Sequence, residues 1–146
     1  MMRRWGLSIS VFALALVFGA AELIAGNVVA AVGLFVLFAV LAALVSPRAF
    51  PASVTDAQAR ALSAADGRPI VYWRPGCPFC MRLRATVGRD AGRLHWVDIW
   101  ADPDGAASVR AVADGNETVP TVIAGGEAMV NPRPEVVREL VRNTAA

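Results

Sequence analysis

From Val28 to Val45 the chain runs 18 residues without an ionisable side chain. As a helix such a run rises roughly 27 Å, just enough to cross the hydrocarbon core of a bilayer. A second apolar stretch precedes it, since between Trp5 and Ala25 the one ionisable residue is Glu22. Gly26-Asn27 separates the two as a turn. Residues 1–46 therefore predict a membrane anchor of two transmembrane helices, with Glu22 as an interfacial turn residue rather than an intramembrane functional acid. The apolar content of the whole chain, 56%, exceeds the roughly 45–50% of soluble domains. The surplus lies in these two runs.

After residue 50 there are 11 arginines and 11 acidic residues, so the net positive charge comes from Arg3, Arg4 and Arg48 against Glu22. A neutral soluble part argues against a general nucleic-acid surface, which needs a basic stripe on the domain. Instead, the arginines flank the apolar segments, as the positive-inside rule expects of a hairpin with both ends in the cytoplasm. The expected location is the cell membrane, multi-pass, with the rest of the chain cytoplasmic. A rival reading makes the first segment a cleaved signal peptide, with Leu7 to Val17 as its apolar region and Gly19-Ala20-Ala21 as the cleavage site. It leaves Val28 to Val45 as a stop-transfer span and the following domain still inside. Only an inverted hairpin or a single uncleaved span puts that domain outside.

Pro47 to Ser53 reads as a linker stiffened by two prolines, and the folded domain as residues 54–146. Thr55-x-x-Gln58 is a capping box opening a helix to about Ala65 that stops at Gly67. Pro69 to Trp73 is an apolar strand, short and hydrophobic enough to be central. Pro78 suits the first turn of the next helix, where Phe79, Leu83 and Val87 form a stripe that Gly88 ends. Leu94 to Ile99 is a second strand, and Asp102-Pro103-Asp104 opens a helix through about Ala113. Thr121 to Ala124 and Ala128 to Val130 are strands joined by Gly125-Gly126. Asn131 then caps a last helix with Pro132 in its first position and Val136, Val137, Leu140 and Val141 on its apolar face. The order from residue 55 is α-β-α-β-α-β-β-α.

Cys77 and Cys80 are the only cysteines, and they sit where the first strand gives way to a helix. The unpaired N–H groups and the dipole of a helix N-terminus favour an anion there, so Cys77 should have a lowered pKa. Arg74, Arg82 and Arg84 add positive charge nearby. One turn on, Cys80 is close enough to close a disulfide, as a resolving thiol would. Two bland alternatives remain: half a zinc site, for which the chain offers only His95 as a further soft ligand, and inert buried cysteines. C-x-x-C within a βαβ pattern nevertheless reads as redox.

Three features together, Cys77-Pro78-Phe79-Cys80, Thr118-Val119-Pro120 about 40 residues later and Gly125-Gly126 after the next strand, resemble the glutaredoxins and especially the actinobacterial mycoredoxins. The likeness spans roughly residues 54 to 146. It implies an α/β thioredoxin-like domain, a mixed four-stranded sheet with flanking helices, preceded here by the transmembrane helical hairpin. It implies that Pro120 follows a cis peptide and that Val119 pairs with the backbone of the bound thiol. Glutathione-using members usually carry Tyr at the third motif position and an acidic pair soon after the double glycine. This chain has Phe79, and Glu127-Ala128-Met129-Val130-Asn131 after Gly126, which favours mycothiol over glutathione, as does a basic complement made of arginine alone.

The expected activity is thiol–disulfide exchange: Cys77 attacks, Cys80 or a second small thiol resolves, and oxidised or S-thiolated proteins are the partners. Candidate thiol-binding residues are Arg74, Phe79, Thr118, Val119, Pro120, Gly125, Gly126 and Asn131. No bound cofactor or metal is expected; the low-molecular-weight thiol is a cosubstrate. Arg110 reads as an exposed helix residue, and Trp73, Trp96 and Trp100 as packing or interface residues. Rival functions are an extracytoplasmic disulfide oxidant or isomerase, and a non-enzymatic redox sensor or cluster scaffold.

Overall fold

The computed structural model describes residues 2–143, which fall into two compact units divided between Ala49 and Phe50. The first holds helices α1 (Met2–Ile24) and α2 (Val28–Leu44). They pack along each other through Phe12 on Phe35 and Phe18 on Phe38, with ring centroids 6.1 and 6.0 Å apart. Gly26 turns the chain with a φ of 82°, and Asn27 Nδ2 donates to the Glu22 carboxylate at 3.1 Å. At the other end of this unit the Arg48 guanidinium lies over the Trp5 ring. Residues Trp5–Ile24 form one helix long and apolar enough to cross a membrane. α2 has 17 residues, about 25 Å at 1.5 Å per residue, slightly short of a full hydrocarbon core. Large apolar side chains such as Ile9, Val17, Ile24 and Val29 face outward from the pair.

In the second unit, four strands lie in the order β2-β1-β3-β4: β1 (Ile70–Trp73), β2 (His95–Asp98), β3 (Thr121–Ala124) and β4 (Glu127–Val130). β1 pairs parallel with β2 and antiparallel with β3, and β3 pairs antiparallel with β4. All four β1 residues are buried, which explains a strand with no polar alternation: both faces of a central strand are covered. The mixed sheet with flanking helices is the thioredoxin-like fold expected from the sequence.

Successive strand residues point to opposite faces, and the tethers of each face are visible. On one face, Tyr72 Oη donates to Asp56 at the start of α3 (Asp56–Asp66), and Gly105 of α5 (Pro103–Val112) sits against Val97. On the other, Trp96 Nε1 donates to the Ala91 carbonyl in the 3-10 segment Gly88–Arg93 that follows α4 (Pro78–Val87). α4 and α6 (Pro134–Asn143) pack together on that face, as α3 and α5 do on theirs. The capping box at Thr55 and Gln58 is formed, and Gly67 closes α3 with a φ of 69°. Asp102 caps α5 and also accepts the Asp56 N–H, joining the starts of α3 and α5.

One local reading needs revision. Asn131 does not cap the last helix, which starts at Pro134 rather than Pro132. Its N–H instead donates to the Pro120 carbonyl at 2.8 Å, and its φ of 48° bends the chain out of β4. Asn tolerates that left-handed conformation better than most residues. Phe50, in the expected linker, is buried, stacked on Trp73 at 3.9 Å and edge-on to Trp96 at 5.6 Å. Ser53 next to it accepts a hydrogen bond from Trp73 Nε1.

Candidate active site

Cys77 is the N-cap of α4, with Pro78 in the first helical position. A residue there presents its side chain to the unpaired N–H groups of the first turn. The Cys77 sulfur does so, accepting the Cys80 N–H at 3.2 Å. The motif's two-residue spacing thus places the second cysteine's own amide on the first cysteine's sulfur. On its other side Cys77 Sγ lies 3.5 Å from the Val119 carbonyl, to which the thiol can donate. The Val119–Pro120 peptide is cis.

The two thiols are electrostatically unlike. A hydrogen bond from Cys80, opposed by burial and helped by the Cys80 and Phe79 amides and the Arg74 charge, lowers the Cys77 pKa from 9.0 to about 6. Cys80 is fully buried, and burial pushes its thiol well up, with the neighbouring Cys77 charge adding to the rise. At neutral pH the pair therefore holds one thiolate and one thiol, both unbridged. The Arg74 guanidinium sits 5.7 Å from the centre of the half-buried Trp100 ring. Phe79 is 57% exposed, two residues after Cys77.

Pro120 is buried and its carbonyl is tied to Asn131, while the Thr121 hydroxyl donates to the Thr118 carbonyl at 2.8 Å. Asn131 and Phe79 share a cleft of about 320 Å³ with Arg82, Pro132, Arg133 and Glu135. The structure thus brings together Arg74, Cys77, Phe79, Cys80, Val119, Pro120 and Asn131, with Thr118 one residue behind.

Gly125 and Gly126 do not join them. β3 begins beside Pro120 and runs antiparallel to β1, so its far end, where these glycines turn the chain, lies at the opposite end of the strands from Cys77. Four residues at about 3.3 Å each put some 13 Å of strand between. Their φ angles of 58° and 88° are those of a tight hairpin turn, which Gly-Gly accommodates. Arg84 is a second correction: it donates to the Gly88 carbonyl at the far end of α4, away from Cys77.

Trp100, Arg133 and Glu135 enter the site region without a functional role assigned from the sequence. Trp100 had a usable signal. It follows β2, whose C-terminal end lies beside that of the parallel strand β1, and parallel strands gather sites at that end. Arg110 pairs with Glu117 at 2.8 Å, in keeping with an exposed helix residue.

A family model described as Glutaredoxin matches residues 70–129. Two proteins of Mycobacterium tuberculosis, from strains CDC 1551 and H37Rv and each bearing the name "Putative glutaredoxin", are each 33% identical to this chain over 69 residues. The matched stretch covers 47% of this chain and 82% of each relative. No solved structure gives a significant match.

Proposed function

The chain belongs to the glutaredoxin family of thiol–disulfide oxidoreductases, and from that premise we propose that it is a membrane-anchored reductase whose nucleophile is Cys77 and whose resolving thiol is Cys80. The observation that carries the reading is the Cys77 sulfur at the start of α4, accepting the Cys80 N–H. A sulfur that accepts an amide N–H at a helix N-terminus is stabilised as the anion, the attacking form.

The Cys77 thiolate attacks one sulfur of a substrate disulfide, forming a new S–S bond as the other sulfur leaves with the electron pair and takes a proton from water. Cys80 then loses its proton and attacks the Cys77 sulfur, releasing the second substrate thiol and leaving a Cys77–Cys80 disulfide. Two low-molecular-weight thiols reduce that bond and are oxidised to their own disulfide. On a mixed disulfide with a small thiol, a second small thiol resolves the enzyme adduct and Cys80 is not required. Phe79, Val119, Pro120 and Asn131 form the wall against which the thiol lies, with Thr118 behind and Arg74 holding charge near the sulfur. Mycothiol is favoured over glutathione, because Phe79 replaces the usual Tyr and Glu127 to Asn131, after Gly126, hold no acidic pair. The mycobacterial source of the relatives is in keeping with that choice.

Residues 1–46 act as the anchor, 47–53 as a linker whose Phe50 and Ser53 pack on the catalytic domain, and 54–146 as that domain, on the cytoplasmic side. The outward-facing apolar side chains of α1 and α2 and the arginines outside the apolar runs support this. Turnover of a mixed-disulfide substrate by the full chain in uncharged detergent, with mycothiol against glutathione, tests the thiol. Faster turnover with mycothiol is expected, and a preference for glutathione would remove it. A reporter fused after Ala146 tests the topology; activity only outside the cytoplasm would favour the extracytoplasmic oxidant instead.

A further inference from the structure

The catalytic unit is neutral in sum but not in distribution. Residues 78–94 and 132–143, which build α4, the 3-10 segment after it and α6 with their flanks, carry seven arginines and three acids. Residues 55–69 and 99–118, which build α3 and α5 with the turns around them, carry six acids and three arginines. These groups lie on opposite faces of the sheet, so the domain has one basic and one acidic side.

The basic side holds the reactive end. Cys77 caps the start of α4, whose face includes exposed Phe79 and Arg82 in the cleft with Arg133. From there α4 and α6 run in the same direction, and exposed Arg89 and Arg142 lie near their far ends. Ten residues of α4 put about 15 Å between Cys77 and that end. A small thiol seated at Cys77 does not reach so far; a polypeptide does.

We propose that the α4–α6 face docks an acidic segment of the client protein, leading the client's disulfide to Cys77. This rests on the oxidoreductase reading above and names the kind of partner it takes. A protein is favoured over an anionic lipid surface because Cys77 opens at the edge of this face, where a bilayer laid against it would exclude a substrate. Charge complementarity of this kind acts mainly on encounter and specificity, and salt screens it.

The test uses the full chain in uncharged detergent and two peptides of about ten residues, roughly 33 Å when extended. Each carries one cysteine in mixed disulfide with the same small thiol, followed by aspartates in one and lysines in the other. Release of the peptide thiol is followed with that small thiol as reductant. At low ionic strength kcat/KM should favour the acidic peptide by about tenfold, and the preference should shrink toward unity as salt is raised. Arg89→Glu combined with Arg142→Glu, both remote from the sulfur, should abolish the preference while turnover of the mixed disulfide of a neutral single-cysteine compound stays unchanged. Equal turnover of the two peptides by the wild-type chain, or a preference untouched by the double reversal, overturns the docking proposal alone. Loss of the preference on reconstitution into phosphatidylcholine bilayers containing phosphatidylglycerol, but not into phosphatidylcholine alone, assigns the face to lipid and overturns it too. If the wild-type chain turns over neither the peptides nor the neutral compound, the oxidoreductase reading itself fails.

Discussion

The Cys80 amide donates to the Cys77 sulfur at 3.2 Å, so the second cysteine of the motif favours the thiolate of the first through its backbone. With the Cys77 pKa lowered to about 6, the thiolate fraction rises through pH 6 and is nearly complete above about pH 7. Iodoacetamide alkylation of Cys77 should follow that curve, whereas an ordinary thiol would still be gaining reactivity near pH 9. Cys80, buried and pushed the other way, should react far more slowly at every pH in this range. Mass spectrometry of alkylated peptides reads both, and equal rates would contradict the assigned roles.

Arg74 lies over Trp100 and lowers the Cys77 pKa by its charge. Arg74→Ala should move the alkylation midpoint to higher pH, so that the rate falls at pH 6 and is little changed at pH 8. Trp100→Ala, which frees the guanidinium, should shift it in the same direction and by no more than Arg74→Ala. Trp100→Phe should largely preserve the profile. A midpoint unmoved by either alanine would mean that the helix terminus alone sets it.

Most elements of the catalytic unit were legible because their signals are local. The Thr55 capping box, Pro78 opening α4, Gly88 closing it and the Gly125-Gly126 turn each depend on a few neighbouring residues. What local pattern does not carry is direction across the sheet. Gly125-Gly126 follows the Thr-Val-Pro segment closely in sequence, yet β3 carries it to the far end of the strands, and β4 returns Asn131 to the Cys77 end. The same limit hid the division of charge, since neutrality in sequence says nothing about which helix covers which face. Phe50 was read as linker because prolines surround it; its partners, Trp73 and Trp96, are more than 20 residues away.

Phe50 supplies a truncation test. A fragment starting at Pro47 should fold and retain activity, whereas one starting at Pro51 loses the ring stacked on Trp73. The deficit should be about 3 kcal/mol, in the range for removing a buried phenylalanine side chain. Urea unfolding followed by tryptophan fluorescence compares the two, and equal midpoints would show the stack to be dispensable.

Gly105 tests the other face of the sheet. A Cβ at this position would lie 2.6 Å from Val97 Cγ1, closer than van der Waals contact allows. Although alanine favours helices over glycine by about 1 kcal/mol, Gly105→Ala should destabilise the domain by about 1–3 kcal/mol, because the buried valine must move. A variant as stable as the parent in thermal unfolding would mean that α5 shifts at no cost.

The central claim is the division of labour between the two cysteines, and turnover of a small-thiol mixed disulfide by single-cysteine variants tests it most directly. Cys80→Ser should retain activity on that substrate, because a second small thiol resolves the Cys77 adduct, and should lose more on protein disulfides. Cys77→Ser should be inactive on both. Turnover by Cys77→Ser, or complete inactivity of Cys80→Ser on the small-thiol adduct, would contradict the account.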